Sequence, residues 1–182
     1  MKKKMMIYHS KYKVIFLDID GVLNSELWAR FCYNRRHKRK HKHNNLLCPY
    51  LINKLAKYCK NHNIKLIISS SWRCGSYNKT IEDFQRYKQL NPILEYIIGV
   101  TPYCEDRMRG HEIDVCMQIL NDNELYNKYK VLFKERFIIE NYVIIDDDND
   151  MLQSQLNNFV QTSFWDGLSK KHYKNINKIF NI

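Results

Sequence analysis

Lys13-Val14-Ile15-Phe16-Leu17-Asp18-Ile19-Asp20-Gly21 is the stretch from which the fold is read. An apolar run without polar alternation predicts a strand over 13–19 buried on both faces, as in a parallel sheet. Asp20-Gly21 stops it. Three similar runs follow: Ile64–Ile68 leading into Ser69-Ser70-Ser71, 96–100 closed by Thr101-Pro102, and 142–145 ending in Asp146-Asp147-Asp148. Between them lie helical patterns. Leu51, Ile52, Leu55, Ala56 and Cys59 follow Pro49 at helical spacing, and Ile113, Cys116, Met117 and Leu120 form a second stripe. Thr80 is placed to cap a helix over 81–90. An amphipathic stretch at 122–140, a helix near 150–157, a short strand at 159–160 and a helix near 169–180 complete the chain. Strands alternating with helices predict an α/β fold of three layers, Rossmann-like, with a central parallel sheet.

Three of the four main runs end in polar clusters, and in such sheets ligands bind at the carboxyl ends of the strands. Asp18 and Asp20 there, joined by Asp146, Asp147 and further carboxylates at 148 and 150, repel one another unless a cation lies between them. Oxygen-only ligation selects a hard ion, most naturally Mg²⁺. Carboxylates capping the following helices would explain one cluster, but not all. Four of the five glycines fall in or beside these clusters, where backbone can approach a ligand closely.

At 182 residues the chain fits one domain, and 45% hydrophobic with 13% aromatic residues argues against a disordered chain. No apolar run approaches the roughly 20 residues needed to cross a bilayer. Tyr8-His9-Ser10-Lys11 interrupts the apolar core that a secretion signal requires. The expectation is a soluble, intracellular, cytoplasmic protein that does not associate with membranes and acts as a monomer. Six scattered cysteines without a CxxC pair read as free thiols. Richness in Asn, Lys and Ile fits an AT-rich genome, such as that of a large DNA virus or a parasite.

The net charge of +11 is concentrated. Nine of the 30 basic residues lie at 2–4 and 35–42, leaving 21 against 19 acidic ones. The organisation expected is a basic tail at 1–12 and a single domain over 13–182, with a basic flap or insertion at about 24–48. Arg35, Arg36, Lys38, Arg39, Lys40 and Lys42 must be solvated, because burying unpaired charges is costly. They read as a solubilising or nuclear-localisation segment, or as a phosphate-backbone contact whose affinity falls with salt. Cys32, His37, His41, His43 and Cys48 fit no usual zinc spacing.

In order along the chain, these residues resemble the haloacid dehalogenase (HAD) superfamily. Val14 to Val22 is similar to its first motif, an apolar strand followed by DxDG; Ser69 and Ser70 to the second; Arg109 in Arg-Gly-His-Glu-Ile to the third; Val143-Ile144-Ile145-Asp146-Asp147 to the fourth. The whole set is most similar to the HAD domain of Swiss Army Knife RNA-repair proteins, over about residues 13–170. The resemblance implies a HAD fold with only a minimal cap, and a phosphatase. It makes Asp18 the nucleophile and Asp20 the general acid and base. Mg²⁺ would be held by Asp18, Asp20 through its backbone carbonyl, and Asp146 or Asp147; Ser70 or Ser69, with Arg109, would bind phosphate. Arg73 is expected as a second phosphate-binding cation, since its fork of donors suits phosphate.

Gaps of about 24–48 and 74–105 between motifs are too short for a large cap, and an open site suits a large substrate. The expectation is therefore a terminal phosphate, 3′ for preference, on RNA or DNA ends, with RNA favoured. A nucleotide or other small phosphoester is the alternative substrate. A catalytically inactive module binding RNA through the basic run is the alternative class. Trp28, Phe31 and Tyr33, just before that run, could stack a base or pack as core.

Overall fold

The computed structural model describes residues 9–36 and 47–182. Five parallel strands form one sheet: β1 (Ser10–Leu17), β2 (Ile64–Ile68), β3 (Ile97–Val100), β4 (Phe137–Asp146) and β5 (Phe159–Gln161), in the order β3-β2-β1-β4-β5. The apolar run that starts the chain thus becomes the central strand. Val14, Ile15, Phe16 and Leu17 are all fully buried, as a strand covered on both faces requires. Each such side chain contributes roughly 1.5–3 kcal/mol by leaving water.

The layers around the sheet are α1 (Glu26–Arg36), α2 (Pro49–His62), α3 (Tyr77–Gln85), α4 (Asn91–Leu94), α5 (Arg109–Asn121), α6 (Asn123–Tyr129) and α7 (Lys170–Phe180). Helix α2 buries the stripe Leu51, Ile52, Leu55, Ala56 and Cys59. Pro49 opens it, where a missing N–H costs nothing, and Asn63 at φ 51 closes it in the left-handed conformation. Leu55→Ala would cost about 2–5 kcal/mol.

Some boundaries differ from expectation for physical reasons. Ser76, not Thr80, caps the third helix by accepting from the Lys79 N–H. Thr80 is buried one turn inside, where its hydroxyl accepts from the Cys74 N–H and donates to the Ser76 carbonyl. The fourth strand starts at Phe137 rather than 142, because β1 begins at Ser10 and supplies a pairing partner for the extra length. The helix expected near 150–157 is a 3₁₀ turn at Gln153–Asn158.

Between β1 and α2 the chain makes an excursion that leaves and re-enters at one place. Asn24 bridges Leu47 in antiparallel fashion, and the Cys48 N–H donates to the Leu23 carbonyl at 2.8 Å. Ser25 starts α1 by accepting from the Trp28 N–H, and the Trp28 indole N–H donates to the Leu47 carbonyl. Among the described residues, no two cysteines are joined by a disulfide. Among the described residues, no helix is long and apolar enough to cross a membrane.

Candidate active site

The carboxyl ends of β1, β2 and β4 meet the start of α5. Asp18 follows the last residue of β1, with its N–H donating to the Ile145 carbonyl of β4. Asp146 ends β4, and Asp147 follows it. One oxygen from each of these three carboxylates lies within 4.8 Å of the others, Asp18 and Asp146 being buried. Gly21 makes room for the third: at φ +64, a Cβ there would fall 2.3 Å from Asp147 Cγ.

Such crowding has an electrostatic signature. Burial, reinforced by the neighbouring Asp146, pushes the Asp18 carboxyl up to about 8, while Arg109 and a hydrogen bond from Ser70 only partly offset it. Asp146 rises to about 7, again chiefly by burial. Asp147 is raised as well, by desolvation and the adjacent Asp148. The protein alone does not neutralise this cluster. A hard divalent cation would, and an all-oxygen donor set of three converging carboxylates fits Mg²⁺.

Arg109, the first residue of α5, is the cation the protein does supply. Its Nε donates to Asp146 at 3.2 Å, one terminal nitrogen to Glu112 at 3.2 Å, and the other reaches Asp18 at 3.5 Å. Asp150 accepts from the Arg109 backbone N–H at 2.8 Å, a carboxylate at the positive end of a helix.

Asp20 stands apart from the three-carboxylate group. One of its oxygens accepts from Asn24 Nδ2 at 2.7 Å and the other from the Trp72 indole N–H at 2.8 Å. Asn24 turns back to accept from the Gly21 N–H, so the whole 20–24 turn is fixed from inside. Asp20 is still near enough to add to the upward push on Asp18.

Ser69 and Ser70 are both buried at the end of β2. Ser70 is the one whose hydroxyl meets Asp18; Ser69 Oγ has no hydrogen-bond partner. Arg73 requires a correction. It does not stand open as a second phosphate clamp, because its guanidinium is locked inside the protein. It pairs with Glu112 at 2.5 Å and donates to the carbonyls of Ser70 and Pro102, with its side chain 1% exposed. Glu112 thus holds both Arg73 and Arg109. Sequence reasoning missed Glu112, Trp72 and Asn24; Glu112 in particular reads as an ordinary acidic residue of a helix's first turn. Of the basic run, Arg35 and Arg36 end α1, and Lys38, Arg39, Lys40 and Lys42 lie outside the described residues.

Four sequence motifs therefore converge on one cleft, and residues 14–173 match the family described as the HAD domain in Swiss Army Knife RNA repair proteins. The chain belongs to this HAD family. Membership supports HAD-type phosphatase chemistry in general. No curated protein matches the chain. Among solved structures, the HAD domain of effector protein Lem4 from Legionella pneumophila is 17% identical, with a TM-score of 0.45 over 93% of this chain and 96% of that one.

Proposed function

We propose that this HAD domain is a Mg²⁺-dependent phosphomonoesterase that removes a terminal phosphate, 3′ for preference, from nucleic-acid ends, RNA before DNA. The observation that carries the chemistry is the placement of Asp18 within reach of Arg109, Ser70, Asp146 and Asp147 while Asp20 is held separately by Trp72 and Asn24.

Two carboxylates with separate surroundings suit two roles. Asp18 attacks phosphorus, and the bond from phosphorus to the ester oxygen breaks, leaving an aspartyl-phosphate. Protonated Asp20 gives its proton to the departing oxygen. Asp20, now a carboxylate, takes a proton from water; that water attacks phosphorus and breaks its bond to Asp18, releasing phosphate. Arg109 and the Ser70 hydroxyl hold the non-bridging oxygens through both halves. Asp18, Asp146 and Asp147 would hold Mg²⁺, which supplies positive charge against the phosphoryl oxygens and permits the carboxylates to be ionised.

Support for a nucleic-acid end comes from the RNA-repair family and from the basic run at 35–42. The test is phosphate release from matched 3′- and 5′-phosphate RNA and DNA oligonucleotides, with mononucleotides and a small ester beside them, in Mg²⁺ or EDTA. Release from one end type, abolished by EDTA, is the expected result. Deleting 35–43 should cripple that activity and spare the small ester. Turnover of small esters alone would move the substrate to metabolites, and salt-sensitive RNA binding without any turnover would make the domain a binding module.

A further inference from the structure

Beside the carboxylates opens a cleft of about 670 Å³ lined by Ser71, Arg73, Tyr103, Cys104, Glu105, Arg107, Arg109 and Glu112. Its wall is shared with the catalytic centre through Arg109, which reaches Asp18. Tyr103 is 57% exposed, an unusual position for an aromatic ring that is nevertheless fixed. Its hydroxyl donates to the Arg73 carbonyl at 2.5 Å, and the Arg73 guanidinium lies 3.9 Å from the ring centroid. Arg73 is itself immobilised by Glu112, so the ring is held at both its edge and one face. A rigid aromatic on an open cleft loses little entropy when something flat stacks on it.

Arg107 adds a charge. It is exposed and in the left-handed region at φ 56, a conformation that a long side chain adopts rarely and that is concentrated at functional loops. Its N–H donates to the Cys104 carbonyl, fixing the turn, while its guanidinium makes no hydrogen bond or ion pair among the described residues. The pairing of a fixed ring with an unengaged cation is the chemistry that holds a base and a backbone phosphate.

We propose that Tyr103 is the stacking platform for the nucleobase of the terminal nucleotide, and that Arg107 takes the adjoining phosphodiester. This rests on the end-phosphatase reading for its substrate, and adds the residues that would select a nucleotide over a simple phosphoester. It needs no turnover to be tested. The probe is calorimetric titration of the Asp18→Asn protein in Mg²⁺ with adenosine 3′- and 5′-monophosphate, ribose 5-phosphate and inorganic phosphate.

Adenosine monophosphate should bind more tightly than ribose phosphate. Tyr103→Leu should weaken the nucleotide by about 10- to 100-fold and leave ribose phosphate unchanged, and Tyr103→Phe should retain most of the preference. Arg107→Ala should weaken a 3′-phosphorylated dinucleotide but not a mononucleotide, and lower the salt slope by about one. Equal or absent binding of nucleotide and ribose phosphate would overturn the proposal. So would a Tyr103→Leu protein that loses both ligands alike. A protein that binds nucleotide through Tyr103 yet hydrolyses no ester would sink the phosphatase reading and leave this site standing.

Discussion

On the β2 side of the cleft, Arg73 and Glu112 bury one positive and one negative charge 2.5 Å apart. On the β1–β4 side, Asp18, Asp146 and Asp147 crowd three carboxylates around Arg109, whose guanidinium is also shared with Glu112. Both regions remove charge from water, which is costly in either case. The first is balanced by the protein itself; the second carries more carboxylates than its one arginine can balance and is completed by something that binds. Buried charge alone therefore does not mark a functional centre, whereas buried charge out of balance does.

The largest break in this comparison should come from Asp18→Asn. Phosphate release should fall by at least about a thousandfold, as for loss of a nucleophile. Thermal unfolding in EDTA at pH 8 should nonetheless shift upward, because one member of the crowded group no longer ionises. A downward shift would mean that Asp18 is a structural partner of Arg109 instead. On the balanced side, Glu112→Gln should cost about 3–5 kcal/mol in urea unfolding, since Arg73 is left buried without its counter-charge. A loss under about 1 kcal/mol would show that the two sides do not differ as described.

Gly21→Ala should act on the metal rather than on the fold's core. The added methyl collides with the Asp147 carboxylate, so half-maximal activity should need about 10-fold more Mg²⁺ or beyond. Trp72→Phe keeps a ring against Phe84 and Tyr87 but removes the indole donor from Asp20. With Asp20 as the proposed acid, its loosening should lower kcat by about 10-fold and leave KM little changed. The smallest effect is on stability against pH. Asp18 and Asp146 keep their protons in the metal-free fold at pH values where the unfolded chain has lost them. Their contribution is therefore fully present below about pH 4 and fades as pH rises toward 8. Mg²⁺ should raise the midpoint by a few degrees at pH 8 and by less at pH 5.5, releasing protons as it binds. An equal rise at both would place the ion elsewhere.

Much of this was legible in the chain because local pattern carried it. The unalternating run 14–17 reads as a covered strand, and the family motifs named Asp18, Asp20, Ser70, Arg109 and Asp146, which fall at the ends of β1 and β2, the start of α5 and the end of β4 in turn along the chain. What stayed hidden depended on partners remote in sequence. Arg73 looked like a phosphate clamp because nothing nearby reveals Glu112, 39 positions on, which claims it. Nothing in the local sequence marks Trp72 as the donor whose indole N–H the fold puts on Asp20, 52 positions earlier. Tyr103 and Arg107 had no motif at all; only the cleft brings them together.

The bridge between Asn24 and Leu47 has a consequence for modularity. Because the excursion returns to where it left, its middle can be shortened, lengthened or replaced without asking the sheet to move. Loop closure grows costly only slowly with length, so exchange of 35–43 for other sequences should be thermodynamically cheap. The excursion is thus a cassette, grafted next to Asp20 on a stem of Leu23, Asn24, Leu47 and Cys48.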